Sequence, residues 1–187
     1  MTRIVAGALG GRRLTVPPGD GTRPTSDRVR EALFSTLSSL VDLTGARFAD
    51  LYAGSGAVGL EALSRGAAEV LLVEADPRTA RVARRNVAAL SAGPAVRLVV
   101  GKVAHVLAAG PAGSPYDVVF ADPPYAVPED ELTAALAALV DGGWLAADAV
   151  VAVERSSRSP EPGWVPGLTP QRCRRYGETT LWYGRRS

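Results

Sequence analysis

An α/β fold, a mostly parallel sheet with helices on both faces, is what this sequence predicts, and three observations predict it. Short apolar runs at 47–52, 69–74, 96–100 and 117–121 are spaced as strands, and helical segments near 57–65, 77–91, 103–109 and 128–140 alternate with them. That strand–helix rhythm is the first observation, and a glycine-rich turn between the first run and the first helix is the second. The third is size: 187 residues, 47% of them hydrophobic and 21% charged, suit one domain or one domain with a small appendage.

The flanking elements follow from local chemistry. In "RIVAGALGGRRLTVPPGDG", two short alternating strands at about 3–6 and 12–16 surround a glycine turn, and a Pro/Gly linker follows. Residues 1–22 are therefore expected to form a hairpin extension and residues 23–187 the main domain. Cap residues Thr25, Ser26 and Asp27 precede Val29, Leu33, Leu37 and Leu40, which lie at helical spacing. At the other end "AVVAVER" reads as a fifth strand and "RCRRYGETTLWYG" as a closing hairpin, with "SSRSPEPGWVPGLTP" a loop between them. There is no internal repeat and no long low-complexity tract.

Composition narrows the function classes. No apolar run approaches the roughly 20 residues of a membrane span, and the N-terminal residues lack the apolar block of a secretion signal, so a cytoplasmic protein is expected. A single cysteine, Cys173, and a single histidine, His105, make neither an internal disulfide nor a zinc site, and no metal is expected. The net charge of +2 conceals an asymmetry: residues 1–30 carry +4, residues 155–187 carry +5, and the middle carries −7. Arginine supplies nearly all of the positive charge, and its planar fork matches phosphate oxygens. Basic ends around an acidic body suit a polyanion, with Arg3, Arg12, Arg13, Arg23, Arg28 and Arg30 as candidate N-terminal contacts to a nucleic acid; an ordinary solvated arginine-rich surface is the plainer alternative. Arg28 and Arg30 cannot both face one partner from the same helix.

"FADLYAGSGAVGLEAL" sets Gly54, Gly56 and Gly59 between a strand and a helix, where glycine lets the backbone turn tightly and approach a ligand. The next strand ends in Glu74, the right distance on for a carboxylate that accepts both ribose hydroxyls. Together they imply a nucleoside-containing cofactor; ordinary turn glycines and a surface acid are the plainer alternative. A dinucleotide would offer the helix N-terminus a pyrophosphate, whereas S-adenosylmethionine offers an ammonium and a sulfonium that need acceptors. Asp50 is the candidate for that positive end, or else a buried acid capping loop amides.

"ADPPYAV" follows the run "YDVVFA", and in a doubly wound sheet the carboxyl ends of the strands border the ligand crevice. Asp122, Pro123 and Tyr125 therefore share a rim with the glycine loop. Prolines donate no backbone hydrogen bond and hold their carbonyls fixed and unpaired. The Asp122 carboxylate and the Pro123 carbonyl suit the two hydrogens of a nucleobase amine, aiming its lone pair at a methyl group, while Tyr125 stacks on the base. A stiffened loop without chemistry is the bland alternative.

At these residues a family resemblance appears. "DLYAGSGAVGLEALSRGA", "VEAD" and "DPPY" resemble the cofactor and amine-methylation motifs of class I S-adenosylmethionine-dependent methyltransferases. "RIVAGALGGRRL", "RPTSDRVREALFSTL" and "RRYGETTLWYG" make the chain similar to the RsmD family, which methylates the N2 amine of a guanine in 16S ribosomal RNA. The resemblance implies a Rossmann-like sheet of seven strands with the last antiparallel, an N-terminal β-hairpin that helps hold RNA, and a monomer acting on 16S rRNA or the assembling small subunit. It also implies that Asp50, Gly54, Ser55 and Gly56 line the methionine part of the cofactor, Glu74 the ribose, and Asp122, Pro123 and Tyr125 the target base; Tyr52 and Ala75 belong to the same cofactor set. One departure is Lys102, which stands where such enzymes usually have an acid for the adenine amine. The adenine is then expected on backbone groups of Lys102 or Val103. Left open by the motifs alone are methylation of an adenine or cytosine amine in DNA, a nicotinamide-dependent oxidoreductase, and a non-enzymatic RNA-binding module.

Overall fold

The computed structural model describes residues 2–19 and 26–187. Its elements are β1 (Thr2–Arg3), β2 (Arg13–Leu14), α1 (Asp27–Leu40), β3 (Arg47–Leu51), α2 (Ala57–Ser64), β4 (Glu69–Glu74), α3 (Pro77–Ala89) and β5 (Val96–Val100). There follow α4 (Val103–Ala108), β6 (Tyr116–Ala121), α5 (Glu129–Asp141), β7 (Leu145–Ser156), β8 (Leu168–Tyr176) and β9 (Thr179–Arg186). Seven strands form one sheet in the order β5-β4-β3-β6-β7-β9-β8, and only β9 runs against its neighbours. The seven strands and the antiparallel last one thus agree with expectation, as do the helices to within two residues at each end.

Alternation along each strand builds two cores. Phe48, Leu72, Phe120 and Ala152 point to one face, where Leu33, Phe34 and Leu37 of α1 and Val58 and Ala62 of α2 cover them. Ala49, Leu51, Val73, Val119 and Val153 point to the other, beneath Leu107 of α4 and Leu132, Leu136 and Leu139 of α5. Helix α1 starts where its cap chemistry allows: the Val29 N–H donates to Ser26 Oγ (3.2 Å). The Trp144 ring is buried, and its Nε1 donates to the Leu107 carbonyl (3.0 Å), tying α4 to the strand edge of β7.

The hairpin extension differs from its expected form. Its strands have only two residues each, instead of 3–6 and 12–16, because the main domain takes over their backbone groups. The Val5 and Ala6 N–H groups donate to the Glu61 carboxylate of α2 (2.7 and 3.1 Å). The Thr15 N–H and carbonyl are both held by the Asn86 side-chain amide of α3. A β-carbon at Gly7 would stand 2.0 Å from the Ser64 carbonyl oxygen, so only glycine permits this approach.

Arg30 is a correction. It was expected to meet RNA, yet its side chain is fully buried, ion-paired to Glu61 (3.2 Å) and Asp27 (3.0 Å) and donating to the Arg3 carbonyl. The helical turn that hides Arg30 leaves Arg28 exposed, since neighbours two apart face different sides. Arg3 (paired with Asp27 at 3.7 Å), Arg12 (donating to the Ala89 carbonyl at 2.7 Å) and Arg13 remain exposed. Arg23 lies outside the described residues, as does Thr25.

Candidate active site

Strand register places the site. Leu51 of β3 pairs with Val73 of β4 and Ala121 of β6, and Ala121 pairs with Val153 of β7. The next residues, Tyr52, Glu74, Asp122 and Glu154, therefore form one row along the carboxyl rim, where a doubly wound sheet opens. That rim borders a cleft of about 880 Å³ lined by Asp50, Gly54, Ser55, Ala75, Lys102, Val103, Pro123, Tyr125 and Thr179 besides this row. Every expected cofactor residue but Gly56 lines it, and so do all three expected base-side residues.

The glycine loop takes its shape from packing and from two acids. Gly56 caps α2 in the left-handed conformation (φ 84°). At Gly59 a β-carbon would stand 2.4 Å from Leu72 Cδ2 and 2.8 Å from Val70 Cγ1, so glycine lets α2 sit directly on β4. A β-carbon at Gly54 would meet nothing within 4 Å, consistent with a loop facing the cleft. The Gly59 N–H donates to Asp50 Oδ2 (3.0 Å), and the Gly54 N–H donates to Glu74 Oε1 (2.9 Å). Glu74 Oε2 accepts from the Asp76 N–H (2.8 Å). A carboxylate has about four lone-pair sites, so each acid still has acceptor capacity toward the cleft.

Burial pushes the Asp50 carboxyl from 3.8 up to about 8; the Gly59 hydrogen bond opposes this, and the Glu74 and Glu154 charges add to it. Burial also raises the Tyr52 phenol, with Glu131 adding and Arg155 opposing. Tyr52 sits at φ 60°, a left-handed conformation unusual for a side chain of this size, at the first position past β3.

The turn after β6 is partly self-satisfied. The Pro124 carbonyl accepts from the Val127 N–H (2.9 Å), which corrects the expectation that every carbonyl there is unpaired; the Pro123 carbonyl takes no part in that bond. Pro123 is buried, Asp122 half-buried and Tyr125 63% exposed, so the ring stands at the mouth of the cleft. Arg155 was not singled out from sequence. Its side chain is 4% exposed, pairs with Glu129 and donates to the Val127 carbonyl (3.4 Å), clamping the turn from β7. Nor was Asn86, whose Nδ2 also donates to the Ser55 carbonyl (2.9 Å) and so joins the hairpin extension to the glycine loop. Asn86 lies among the arginines of α3 and Arg155 at the end of an apolar run, and neither setting signals such long-range contacts without a fold.

Fold and site together define a class I S-adenosylmethionine-dependent methyltransferase. The family model "Conserved hypothetical protein 95" matches residues 2–185. Ribosomal RNA small subunit methyltransferase D of Escherichia coli is 45% identical over 152 residues, 81% of this chain and 73% of its own length. The enzyme of the same name from Haemophilus influenzae is 35% identical over 84% of this chain and 80% of its own. Among solved structures, the Escherichia coli protein yhhF superposes with a TM-score of 0.86 at 36% identity, covering 99% of this chain and 97% of that one. An RNA methyltransferase from Salinibacter ruber, solved with S-adenosyl-L-homocysteine, shares the fold (TM-score 0.65, 18% identity, 87% and 93% covered). The chain belongs to the RsmD family of methyltransferases.

The cleft's chemistry fits that cofactor. Glu74, Asp122 and Glu154 line one volume with Asp50, which ionises beside a bound cation, and such a set suits a cation and would repel the pyrophosphate of a nicotinamide dinucleotide. No helix among the described residues is long and apolar enough to cross a membrane.

Proposed function

We infer that this enzyme transfers a methyl group from S-adenosylmethionine to the N2 amine of a guanine in 16S ribosomal RNA. It acts as a cytoplasmic monomer on the RNA or on the assembling small subunit. The observation that carries the reading is the single carboxyl rim on which the Asp122–Tyr125 turn and the glycine loop face one cleft. The family's named members support the RNA substrate.

Bound S-adenosylmethionine supplies an electrophilic methyl on a sulfonium. The chain's part is positioning. Asp50 and the backbone of Gly54, Ser55 and Gly56 receive the cofactor's positive end, and Glu74 receives the ribose hydroxyls. Tyr52 and Ala75 wall the site, and backbone groups of Lys102 and Val103 meet the adenine edge. Lys102 is the N-cap residue of α4, exposed at the edge of the cleft it lines, so its backbone can meet the adenine while its ammonium has access to water. The guanine, swung out of its stack, lies against the Tyr125 ring. The Asp122 carboxylate and the Pro123 carbonyl accept the two amine hydrogens, which directs the nitrogen lone pair at the methyl and draws the departing proton away.

The raised Asp50 carboxyl gives a pH signature. In the folded chain it holds its proton up to about pH 8, whereas the unfolded chain loses it near 3.8; this group's share of stability therefore falls as pH rises across that window. A cation bound beside it favours the ionised form. Cofactor binding near pH 7 is expected to release up to about one proton, and affinity to rise with pH until about 8. Calorimetry in two buffers of different ionisation enthalpy reads the release, and Asp50→Asn is expected to remove it.

The substrate is tested by mass spectrometry of ribosomal RNA from cells lacking the protein. One methyl lost from a guanine N2, and restored by the purified enzyme, is the expected result; unchanged rRNA, or transfer to duplex DNA instead, contradicts it.

A further inference from the structure

The basic C-terminal segment has no part in the chemistry above, yet the fold brings its tip to the cleft. Thr179 and Ser156 line the cleft and pair across β9 and β7. On the far side of β9, Thr179 pairs with Tyr176 and Thr180 with Arg175. Arg174 and Arg175 of β8 thus lie within one or two residues of the rim, roughly 5 Å beyond a cleft-lining strand, on the two faces of the edge strand. Arg158 joins them: it follows Ser156 in the turn after β7, and the Ser157 N–H donates to the Glu178 carbonyl (2.8 Å), tying that turn to the β8–β9 tip.

All three arginines are exposed. Among the described residues Arg174 donates to its neighbour's carbonyl (Cys173, 3.4 Å), and Arg175 Nε donates to the Gly177 carbonyl (3.1 Å). Among the described residues none of the three is ion-paired to a carboxylate. Residues 156–178 hold four arginines against Glu161 and Glu178.

Position along the sheet gives the patch its meaning. The hairpin extension is anchored on α2 and α3, which cover the β3–β5 end, and on α1 through Arg30 and Asp27, and its Thr2, Val16 and Gly19 line the cleft from that side. The β8–β9 tip is the opposite end, and β6, which carries Asp122, is the middle strand of the seven. We propose that Arg158, Arg174 and Arg175 form a second RNA-backbone contact, separate from the hairpin extension, gripping phosphates at the β8–β9 end of the sheet. This rests on the reading of RNA as substrate. With RNA held at both contacts, strain on the strand between them helps present one nucleotide to the cleft. A competing role for arginines here is blunting the exposed edge strand β8 against pairing with another chain. The two roles separate by charge sign, because glutamate blunts an edge as well as arginine but repels phosphate.

The test compares wild type with triple variants at 158, 174 and 175, all to Gln, all to Glu and all to Lys, on transcribed small-subunit rRNA and isolated small subunits over a salt series. The Gln variant is expected to reduce the slope of log affinity against log salt by about 2, each lost phosphate contact removing roughly 0.7–0.9. The Glu variant is expected to bind more weakly still while staying monodisperse, and the Lys variant to keep the wild-type slope. S-adenosylmethionine affinity and melting temperature serve as controls for folding and are expected to stay unchanged in all three. Wild-type slope and RNA affinity in the Gln and Glu variants would overturn the proposal while leaving the substrate reading intact. A wild-type protein that neither binds nor methylates RNA overturns both.

Discussion

Asp122→Ala is expected to bind S-adenosylmethionine about as tightly as wild type and to lose methyl transfer by roughly 10²–10³-fold, the usual loss when one positioned polar group is removed from a reaction centre. The physical reason is that a nucleobase amine has its lone pair delocalised into the ring. The enzyme must hold both amine hydrogens out of that plane, and the Asp122 carboxylate and Pro123 carbonyl lie on one stiff turn whose other end is tied by Val127 and Arg155. Asp122→Asn separates two roles for the carboxylate. An amide oxygen still accepts a hydrogen bond but is a poor base, so partial activity in Asn and none in Ala identifies an orienting acceptor. Equal loss in both identifies a base, and full activity in Ala removes Asp122 from the mechanism. Single-turnover rates beside cofactor titrations make the comparison.

Arg30→Met is expected to destabilise the fold by about 3–5 kcal/mol, because it leaves the buried Glu61 short of a countercharge. For a domain of this size that lowers the melting temperature on the order of 10 °C. Glu61 keeps Arg65 (2.9 Å) and the Val5 and Ala6 amides, so the domain persists, but the joint among α1, α2 and the hairpin extension loosens. Arg30→Lys is expected to rescue little, since one ammonium cannot reach Glu61, Asp27 and the Arg3 carbonyl together as the guanidinium does. Thermal melts read the stability loss, and proteolysis near residues 5–15 reads the loosening of the extension. A melting temperature unchanged in Arg30→Met would contradict the role given to this cluster.

These two residues also mark where sequence and structure part. The place of Asp122 on the cleft rim was legible because its signal is local: an apolar strand, an acid and two prolines follow one another in the chain, and the carboxyl ends of the central strands in such sheets border the crevice. Arg30 was misread because charge patterning cannot tell an exposed arginine from one whose acid partner lies 31 positions away. Helical phase lets at most one of Arg28 and Arg30 face a given partner, but which of them turns inward depends on where Glu61 of α2 arrives.

What the sequence by itself determined is the alternation of strands and helices, the glycine loop with its acids Asp50 and Glu74, and the Asp122–Tyr125 turn, because each is set by backbone sterics and periodicity within a few residues. Only the tertiary structure decided that Tyr52, Glu74, Asp122 and Glu154 stand in one row, that Asn86 joins the extension to the glycine loop, that Arg155 braces the turn, and that Arg158, Arg174 and Arg175 reach the rim. Those facts depend on strand register and on the order in which the chain lays its strands side by side. Both are long-range choices, made by which faces can be buried together, and no short stretch of residues carries them.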